Sequence, residues 1–140
     1  MNVAVDGILY QNGKIILIKR AGETFHNYFA LPGGFVDENE RVEDALHREM
    51  LEELSVSVEP VAILGVYSDK RRDPRGHVIS TVFVCNYEGK PRAGDDAAAF
   101  QIMSLDEALE KQLAFDHKKI LGDFKKWLKI KGTYWSNMVR

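Results

Sequence analysis

The chain has 140 residues, of which 45% are hydrophobic and 29% charged, and its formal net charge is −2. This length fits one domain, and the composition excludes a disordered or fibrous chain. The longest apolar stretches are far shorter than the roughly 18 residues that cross a bilayer. We therefore expect a single domain over residues 1–132, followed by a tail at residues 133–140, and no membrane partner.

The N-terminal residues lack the basic and apolar regions of a secretory signal. The single cysteine, Cys85, lies within an apolar stretch and cannot form an internal disulfide, which is typical of a reducing compartment. These features predict a cytoplasmic protein in which Cys85 serves packing rather than nucleophilic chemistry.

Runs rich in β-branched and aromatic residues predict five strands. They lie at residues 3–10, 14–19, 61–67, 78–87 and 98–103. Asn12 and Gly13 join the first two runs and are a strong hairpin signal. The polar residues 68–77 predict a loop between the third and fourth runs, which could pair as neighbours.

Helix-forming residues with apolar positions at three- and four-residue spacing predict three helices. They run over residues 40–54, from the capping box at Ser104 to about Gln112, and from near Asp116 to Gly132. Before the first helix, Leu31-Pro32-Gly33-Gly34 predicts a turn, because Pro32 removes a donor and the paired glycines permit positive φ. Hairpin strands with interspersed helices indicate an α/β or α+β layered domain.

The small net charge conceals an acidic segment. Residues 37–53 contain eight acids and two bases, or −6, whereas the remainder contains 13 acids and 17 bases, or +4. A near-neutral total argues against a nucleic-acid partner, because nucleic-acid binders are normally basic over a face. On a helical projection Glu49 and Glu53 fall inside the apolar stripe, and Glu52 lies on its edge.

Acidic helices are usually solvated surfaces, but this projection opposes that interpretation. Two inward-facing carboxylates four residues apart repel each other, and their burial requires a counter-charge. Carboxylates without nearby histidine or cysteine suit Mg²⁺ or Mn²⁺ rather than zinc. Because Mg²⁺ held in this way usually completes its shell with water and substrate phosphate, the segment indicates phosphate chemistry.

The acidic segment also carries a family resemblance. Gly34, Glu40 and the run Arg48-Glu49-Met50-Leu51-Glu52-Glu53-Leu54-Ser55-Val56 have the spacing of the Nudix box, G-x5-E-x7-R-E-U-x-E-E-x-G-U, where U is a bulky apolar residue. Every charged position matches, and Ser55 departs because the family has glycine there. We expect a left-handed Ser55 to cost on the order of 1 kcal/mol without removing a metal ligand.

The resemblance implies an α/β fold, namely an α/β/α sandwich around a mixed sheet, and divalent ions bound against a diphosphate. It implies that the ligands of Mg²⁺ or Mn²⁺ are Gly34, through its carbonyl oxygen, and Glu49, Glu52 and Glu53. Glu40 and Arg48 would orient this cluster. The candidate general bases are Glu49, Glu53 and Asp96, the last in a loop where some members carry an extra carboxylate.

Further segments resemble the ADP-ribose pyrophosphatases and the Nudix-related regulators of NAD metabolism. They are residues 67–78, 94–97 and 113–117. The resemblance covers about residues 5–128 and implies Mg-dependent hydrolysis of ADP-ribose to AMP and ribose 5-phosphate. The candidate substrate contacts are Arg20, Phe29, Arg71, Arg72, Arg75, Phe115, Asp116 and His117.

These contacts have simpler interpretations as well. Arginines can bind phosphate oxygens in pairs, but basic loops are commonly only solvated. Asp116 is also a natural N-cap for the last helix. Phe115 could stack on a base or belong to the core, and His117 could contact substrate or lie at the surface.

Two alternatives to ADP-ribose hydrolysis stay open. The substrate could be another nucleoside diphosphate derivative, such as an oxidised nucleotide, a nucleotide sugar or NADH. The chain could instead be a non-catalytic sensor of ADP-ribose, because the regulators share the loop at residues 68–77. The complete box carboxylates oppose a sensor, as do the few residues after the last helix, too few for a winged DNA-binding domain.

The family also implies a homodimer whose partner chain completes the substrate site.

Overall fold

A computed structural model, which describes residues 1–94 and 99–136, contains one mixed eight-stranded sheet and three helices within these residues. The strands are β1 (Asn2–Gln11), β2 (Lys14–Lys19), β3 (Phe29–Ala30), β4 (Gly33–Phe35), β5 (Ser57–Tyr67), β6 (Val78–Glu88), β7 (Ala99–Ser104) and β8 (Tyr134–Trp135). The helices are α1 (Val42–Leu54), α2 (Leu105–Leu109) and α3 (His117–Lys129). None of these helices is long and apolar enough to cross a membrane.

Strand β1 organises the sheet. It runs parallel to β6 and pairs antiparallel with β4 along its first half and with β2 at its end. Strand β5 adds antiparallel to β6, and β8 adds parallel to β5. Strands β3 and β7 both pair antiparallel with β2. The predicted pairing of β5 with β6 is therefore confirmed.

Apolar side chains cover both faces of the sheet. On one face Leu46 and Met50 of α1 join Val5 of β1 in one buried cluster. On the other face Phe124 of α3 joins Tyr67 of β5 in a second cluster, together with residues of α2. The helices thus lie in two layers with the sheet between them, which confirms the expected α/β/α sandwich.

Local signals account for most element boundaries. Asn12 and Gly13 have φ of 53° and 74°, as a two-residue hairpin turn requires, which confirms the first hairpin. The Ser104 side chain accepts a hydrogen bond from the Glu107 N–H at 3.2 Å and caps α2 as predicted. Each helix is shorter than predicted: α1 begins at Val42, α2 ends at Leu109 and α3 ends at Lys129.

The predicted glycine turn at residues 31–34 is wrong. Gly33 and Gly34 belong to β4 and pair with β1, and neither has a positive φ. Their role is close approach, because a Cβ on Gly33 would lie 2.5 Å from Oδ1 of Asp6 and one on Gly34 would overlap the carboxyl group of Glu49. Glycine at these positions lets the β4 backbone contact the two carboxylates.

Ser55 ends α1 in the left-handed conformation that the sequence predicts, with φ of 57° and ψ of 31°. Its N–H donates to the Leu51 carbonyl at 3.1 Å, and the Val56 N–H donates to the Met50 carbonyl at 3.5 Å. These two bonds satisfy carbonyls at the end of the helix, while the serine Cβ keeps its steric penalty.

Replacing Ser55 with glycine should raise the free energy of unfolding by about 0.5–1 kcal/mol, because glycine adopts this φ without a Cβ. Urea denaturation at 25 °C measures the change. Ser55→Ala retains the Cβ and is the matched control, expected within about 0.5 kcal/mol of wild type. A glycine variant no more stable than the alanine variant would contradict the assigned strain.

Candidate active site

A cleft of about 630 Å³ lies beside α1, β4 and the loop that follows β5. It brings together residues that the sequence places far apart. The predicted site residues in its lining are Gly34, Glu49, Glu52, Glu53, Arg20, Arg72, Arg75, Phe115 and His117. One cleft therefore combines the box carboxylates with arginines and an aromatic ring.

The register of α1 sets which glutamates enter the cleft. Ala45, Leu46, Met50 and Leu54 are buried and define the inner face of the helix. The Glu49 side chain is 15% exposed, whereas that of Glu52 is 60% exposed. The helical projection is thus correct in placing Glu49 inward and Glu52 at the edge.

Arg48 links the helix to the loop before it. Its Nε and Nη2 donate to the two carboxylate oxygens of Glu40 at 2.9 Å each, and Nη2 also donates to the Phe35 carbonyl at 3.0 Å. Its Nη1 donates to Oε1 of Glu49 at 2.8 Å. The guanidinium, with the Asp37 N–H, lowers the pKa of Glu40 to about 2. This network fixes the position of the Glu49 carboxylate.

Glu53 lies deeper and is less well compensated. Its Oε1 accepts a hydrogen bond from the Gly33 N–H at 3.0 Å. Among the described residues it forms no ion pair, whereas Glu49 has Arg48. Burial is the main cause that raises the pKa of Glu53 to about 8, and the charges of Glu49 and Asp6 add to it. Burial also raises the pKa of Glu49.

The donor set fits a hard divalent cation. Glu49, Glu52 and Glu53 offer only carboxylate oxygens, and among the described residues Glu53 has no ion-pair partner. Within residues 1–94 and 99–136, no three acidic, histidine or cysteine side chains converge closely enough to hold an ion as they stand. In this arrangement the Glu49 carboxylate accepts from Arg48 and the Glu53 carboxylate accepts from the Gly33 N–H.

Guanidinium groups and aromatic rings form another part of the cleft. The Arg20 Cζ lies 4.8 Å from the centroid of the Phe115 ring, and the Arg75 Cζ lies 5.4 Å from the same centroid. The Arg75 Cζ is also 5.4 Å from the Phe35 centroid. Phe115 has a positive φ of 54° and packs edge-on against Phe25. The phenyl ring of Phe115 is thus in contact with two cations.

The remaining loop arginines are paired with carboxylates. Arg72 is 4% exposed and donates twice to Asp116, at 2.9 and 2.8 Å. Asp116 therefore binds Arg72 and makes no side-chain cap on α3, contrary to its simplest interpretation from sequence. Arg75 pairs with Asp73, and the exposed Arg71 pairs with Asp69.

Sequence reasoning missed a buried polar group at the base of the cleft. Asp6 of β1 accepts a hydrogen bond from the Ser80 hydroxyl, and its Oδ1 lies 3.9 Å from Nε2 of His117. The Leu31 N–H donates to Nδ1 of His117 at 3.0 Å. Burial lowers the pKa of His117 to about 3, so the imidazole is neutral and carries its proton on Nε2. The position of Asp6 within an otherwise apolar predicted strand could have indicated this buried polar group.

Phe29, another predicted site residue, lies outside the lining of the cleft. It lies in β3 and packs against the second buried cluster, which contains Phe124 of α3. Asp96, a candidate general base, lies outside the described residues. Cys85 is buried in β6, and burial raises the pKa of its thiol to about 12, as expected for a packing residue.

The pKa of Glu53 predicts how the stability of metal-free protein depends on pH. A folded-state pKa of about 8 against an ordinary 4.5 means that the native state keeps a proton that the unfolded chain loses. The resulting stabilisation is complete below pH 4.5 and is lost as the pH rises through 8. Urea denaturation with EDTA should therefore find Glu53→Gln gaining at least about 1 kcal/mol on wild type between pH 5 and pH 9.

The matched control for this pH dependence is Glu43→Gln, an exposed glutamate on the same helix. The difference between this control and wild type should stay constant with pH. A constant difference for Glu53→Gln as well would contradict the assigned burial of the Glu53 carboxylate.

The sequence and the fold are similar to those of known proteins. Residues 1–124 match the NUDIX domain family. The chain is 48% identical over 126 residues to an ADP-ribose pyrophosphatase of Methanocaldococcus jannaschii, covering 89% of this chain and 73% of that protein. It is 31% identical to the ADPR responsive transcriptional repressor NtrR of Acinetobacter baylyi, covering 77% of this chain and 45% of that protein.

A solved structure agrees with these matches. The MutT NUDIX hydrolase of Burkholderia pseudomallei is 30% identical, with a TM-score of 0.79 over 87% of this chain and 96% of that chain. The match to the family extends from β1 into α3 and includes the complete set of box carboxylates. The chain therefore belongs to the Nudix family.

Proposed function

We propose that this Nudix protein hydrolyses the diphosphate of ADP-ribose to AMP and ribose 5-phosphate, with Mg²⁺ or Mn²⁺ as cofactor. The observation that carries the proposal is the single cleft that joins α1 carboxylates to arginines and aromatic rings. The 48% identity to an ADP-ribose pyrophosphatase supports this choice of substrate.

The carboxylate side of the cleft supplies the metal ligands in this proposal. Glu49, Glu52 and Glu53 hold the ion together with the Gly34 carbonyl, and Arg48 fixes Glu49 through Glu40. When bound, a divalent ion would offset the diphosphate charge and lower the pKa of a water molecule. A carboxylate of Glu49, Glu53 or Asp96 would accept a proton from the water that attacks one phosphorus, and the bridging P–O bond would break to release AMP and ribose 5-phosphate.

The arginine side of the cleft binds the substrate. Arg20 and Arg75 offer guanidinium groups to phosphate oxygens, and the rings of Phe115 and Phe35 offer faces on which a base can stack. Arg72, Asp116 and His117 act by positioning, because the Arg72 side chain is only 4% exposed, whereas that of Arg75 is 44% exposed, and the His117 imidazole is buried. Neither Arg71 nor Phe29 lines this cleft, and direct contact of either residue with the substrate stays a prediction.

Glu53→Gln should lower kcat for ADP-ribose by at least about 100-fold with the fold retained, because the substitution removes one charged ligand. Anion-exchange separation of AMP and ribose 5-phosphate measures the turnover. Glu43→Gln, on the exposed side of α1, is the matched control and should keep kcat within about twofold. Turnover of Glu53→Gln within tenfold of wild type would contradict the assignment.

A second candidate function is sensing of ADP-ribose without catalysis. The 31% identity to an ADPR-responsive repressor favours it. Calorimetric binding of ADP-ribose without metal-dependent release of AMP would support the sensor. A panel that adds NADH, nucleotide sugars and oxidised nucleotides to ADP-ribose separates the other hydrolytic alternatives.

A homodimer and a cytoplasmic location complete the proposal. Ile63 and Val66 of β5 and Val3 of β1 are exposed. They lie on the α1 side of the sheet, because Ile63 pairs with Phe83, Val66 and Val5 both pair with Thr81, and Val3 lies two residues before Val5 on the same face of β1. Exposed apolar side chains on one sheet face are typical of an interface between chains. The buried lone Cys85 agrees with a reducing compartment.

Sedimentation velocity tests the dimer. The wild-type protein should sediment with twice the mass of one chain, and Ile63→Glu should sediment as a monomer because a charge replaces an apolar contact. Unchanged circular dichroism of the variant is the control for folding. A wild-type monomer at micromolar concentration would contradict the dimer.

A further inference from the structure

We propose that the segment after α3 is a positioning element for substrate binding, which acts through the hydroxyl of Ser136 on the loop at residues 68–77. None of residues 133–136 lines the main cleft, which contains the carboxylates of α1. The effect of Ser136 on catalysis would therefore pass through the loop. This inference rests on the proposed function where it concerns the KM for ADP-ribose.

Ser136 binds the start of the loop directly. Its Oγ accepts one hydrogen bond from the Ser68 N–H at 2.8 Å and another from the Asp69 N–H at 3.0 Å. A hydroxyl oxygen has two lone pairs, so one serine satisfies both donors. These are the first two residues after β5 ends at Tyr67, so Ser136 fixes the direction in which the loop leaves the sheet.

The pairing of strand β8 with β5 places Ser136 next to the start of the loop. Tyr134 and Trp135 pair parallel with Gly65 and Val66 of β5. A Cβ on Gly65 would lie 2.6 Å from the carbonyl carbon of Tyr134, too close for any side chain. Gly65 has no positive φ, so its small size serves the docking of β8 rather than a special backbone conformation.

Hydrogen bonds of the loop connect the residues that Ser136 binds to the lining of the cleft. The Asp69 carbonyl accepts the Arg72 N–H at 3.1 Å, and Arg72 in turn holds Asp116 beside Phe115. Ser136 also borders a second cavity of about 420 Å³, which shares Arg72 and Phe115 with the main cleft. Loss of the anchor would thus disturb the arginines and Phe115 while leaving the α1 carboxylates in place.

The test compares Ser136→Ala with wild type by amide hydrogen exchange and steady-state kinetics. Exchange at Ser68 and Asp69 should accelerate by about tenfold, because both donors lose their acceptor. The KM for ADP-ribose should rise by about fivefold with kcat within about twofold, since uniform binding is lost rather than chemistry. Ser136→Thr retains the hydroxyl and should restore both values.

Two further variants complete the design. Thr133→Ala removes a hydroxyl from the same exposed segment and should behave as wild type in both assays. Gly65→Ala displaces β8 without touching Ser136 and should reproduce the Ser136→Ala pattern.

Unchanged exchange at Ser68 and Asp69 in Ser136→Ala overturns the inference whatever the substrate is. Accelerated exchange with an unchanged KM also overturns it. If wild type fails to hydrolyse ADP-ribose, the proposed function fails, while the exchange data still decide whether Ser136 anchors the loop.

Discussion

The burial of two carboxylates on the inner face of α1 is the constraint on which the cleft depends. Glu49 and Glu53 occupy positions in an apolar stripe, where charge is costly unless it is compensated. Arg48 compensates Glu49 at 2.8 Å, whereas Glu53 receives a backbone N–H from Gly33. The glycines of β4 allow this approach because a Cβ would collide with Asp6 or Glu49. The sheet, the loop and the helix thus meet at one undercompensated group.

The other side of the cleft is assembled from distant parts of the chain. Arg72 comes from the loop after β5, and Asp116, its partner, precedes α3. The chain then returns as β8 and binds the beginning of the same loop through Ser136. Under the proposed function, metal binding would therefore depend on α1 and β4, and substrate binding on α3 and β8.

Sequence periodicity predicted the first hairpin and the orientation of the three box glutamates, because each rests on local signals. The sandwich was implied by the family resemblance, whereas the residue patterns alone indicated only a layered α/β or α+β domain. The turn predicted from Gly33 and Gly34 was wrong, because glycine is favoured both where φ is positive and where another group approaches the backbone closely. Strands β3, β4 and β8 contain two or three residues each and leave no periodic pattern. Long-range partners such as Arg72 with Asp116, or Asp6 with Ser80, depend on the fold and could not be predicted from spacing.

We propose that Glu53 is protonated in the metal-free protein at neutral pH and loses this proton when a divalent cation binds. Titration calorimetry of Mn²⁺ binding at pH 7, in two buffers with different ionisation enthalpies, counts the protons released. With a pKa of about 8, Glu53 should release about one proton per wild-type chain on ion binding, and Glu53→Gln should release far less. Ion binding to wild type without proton release would contradict the claim.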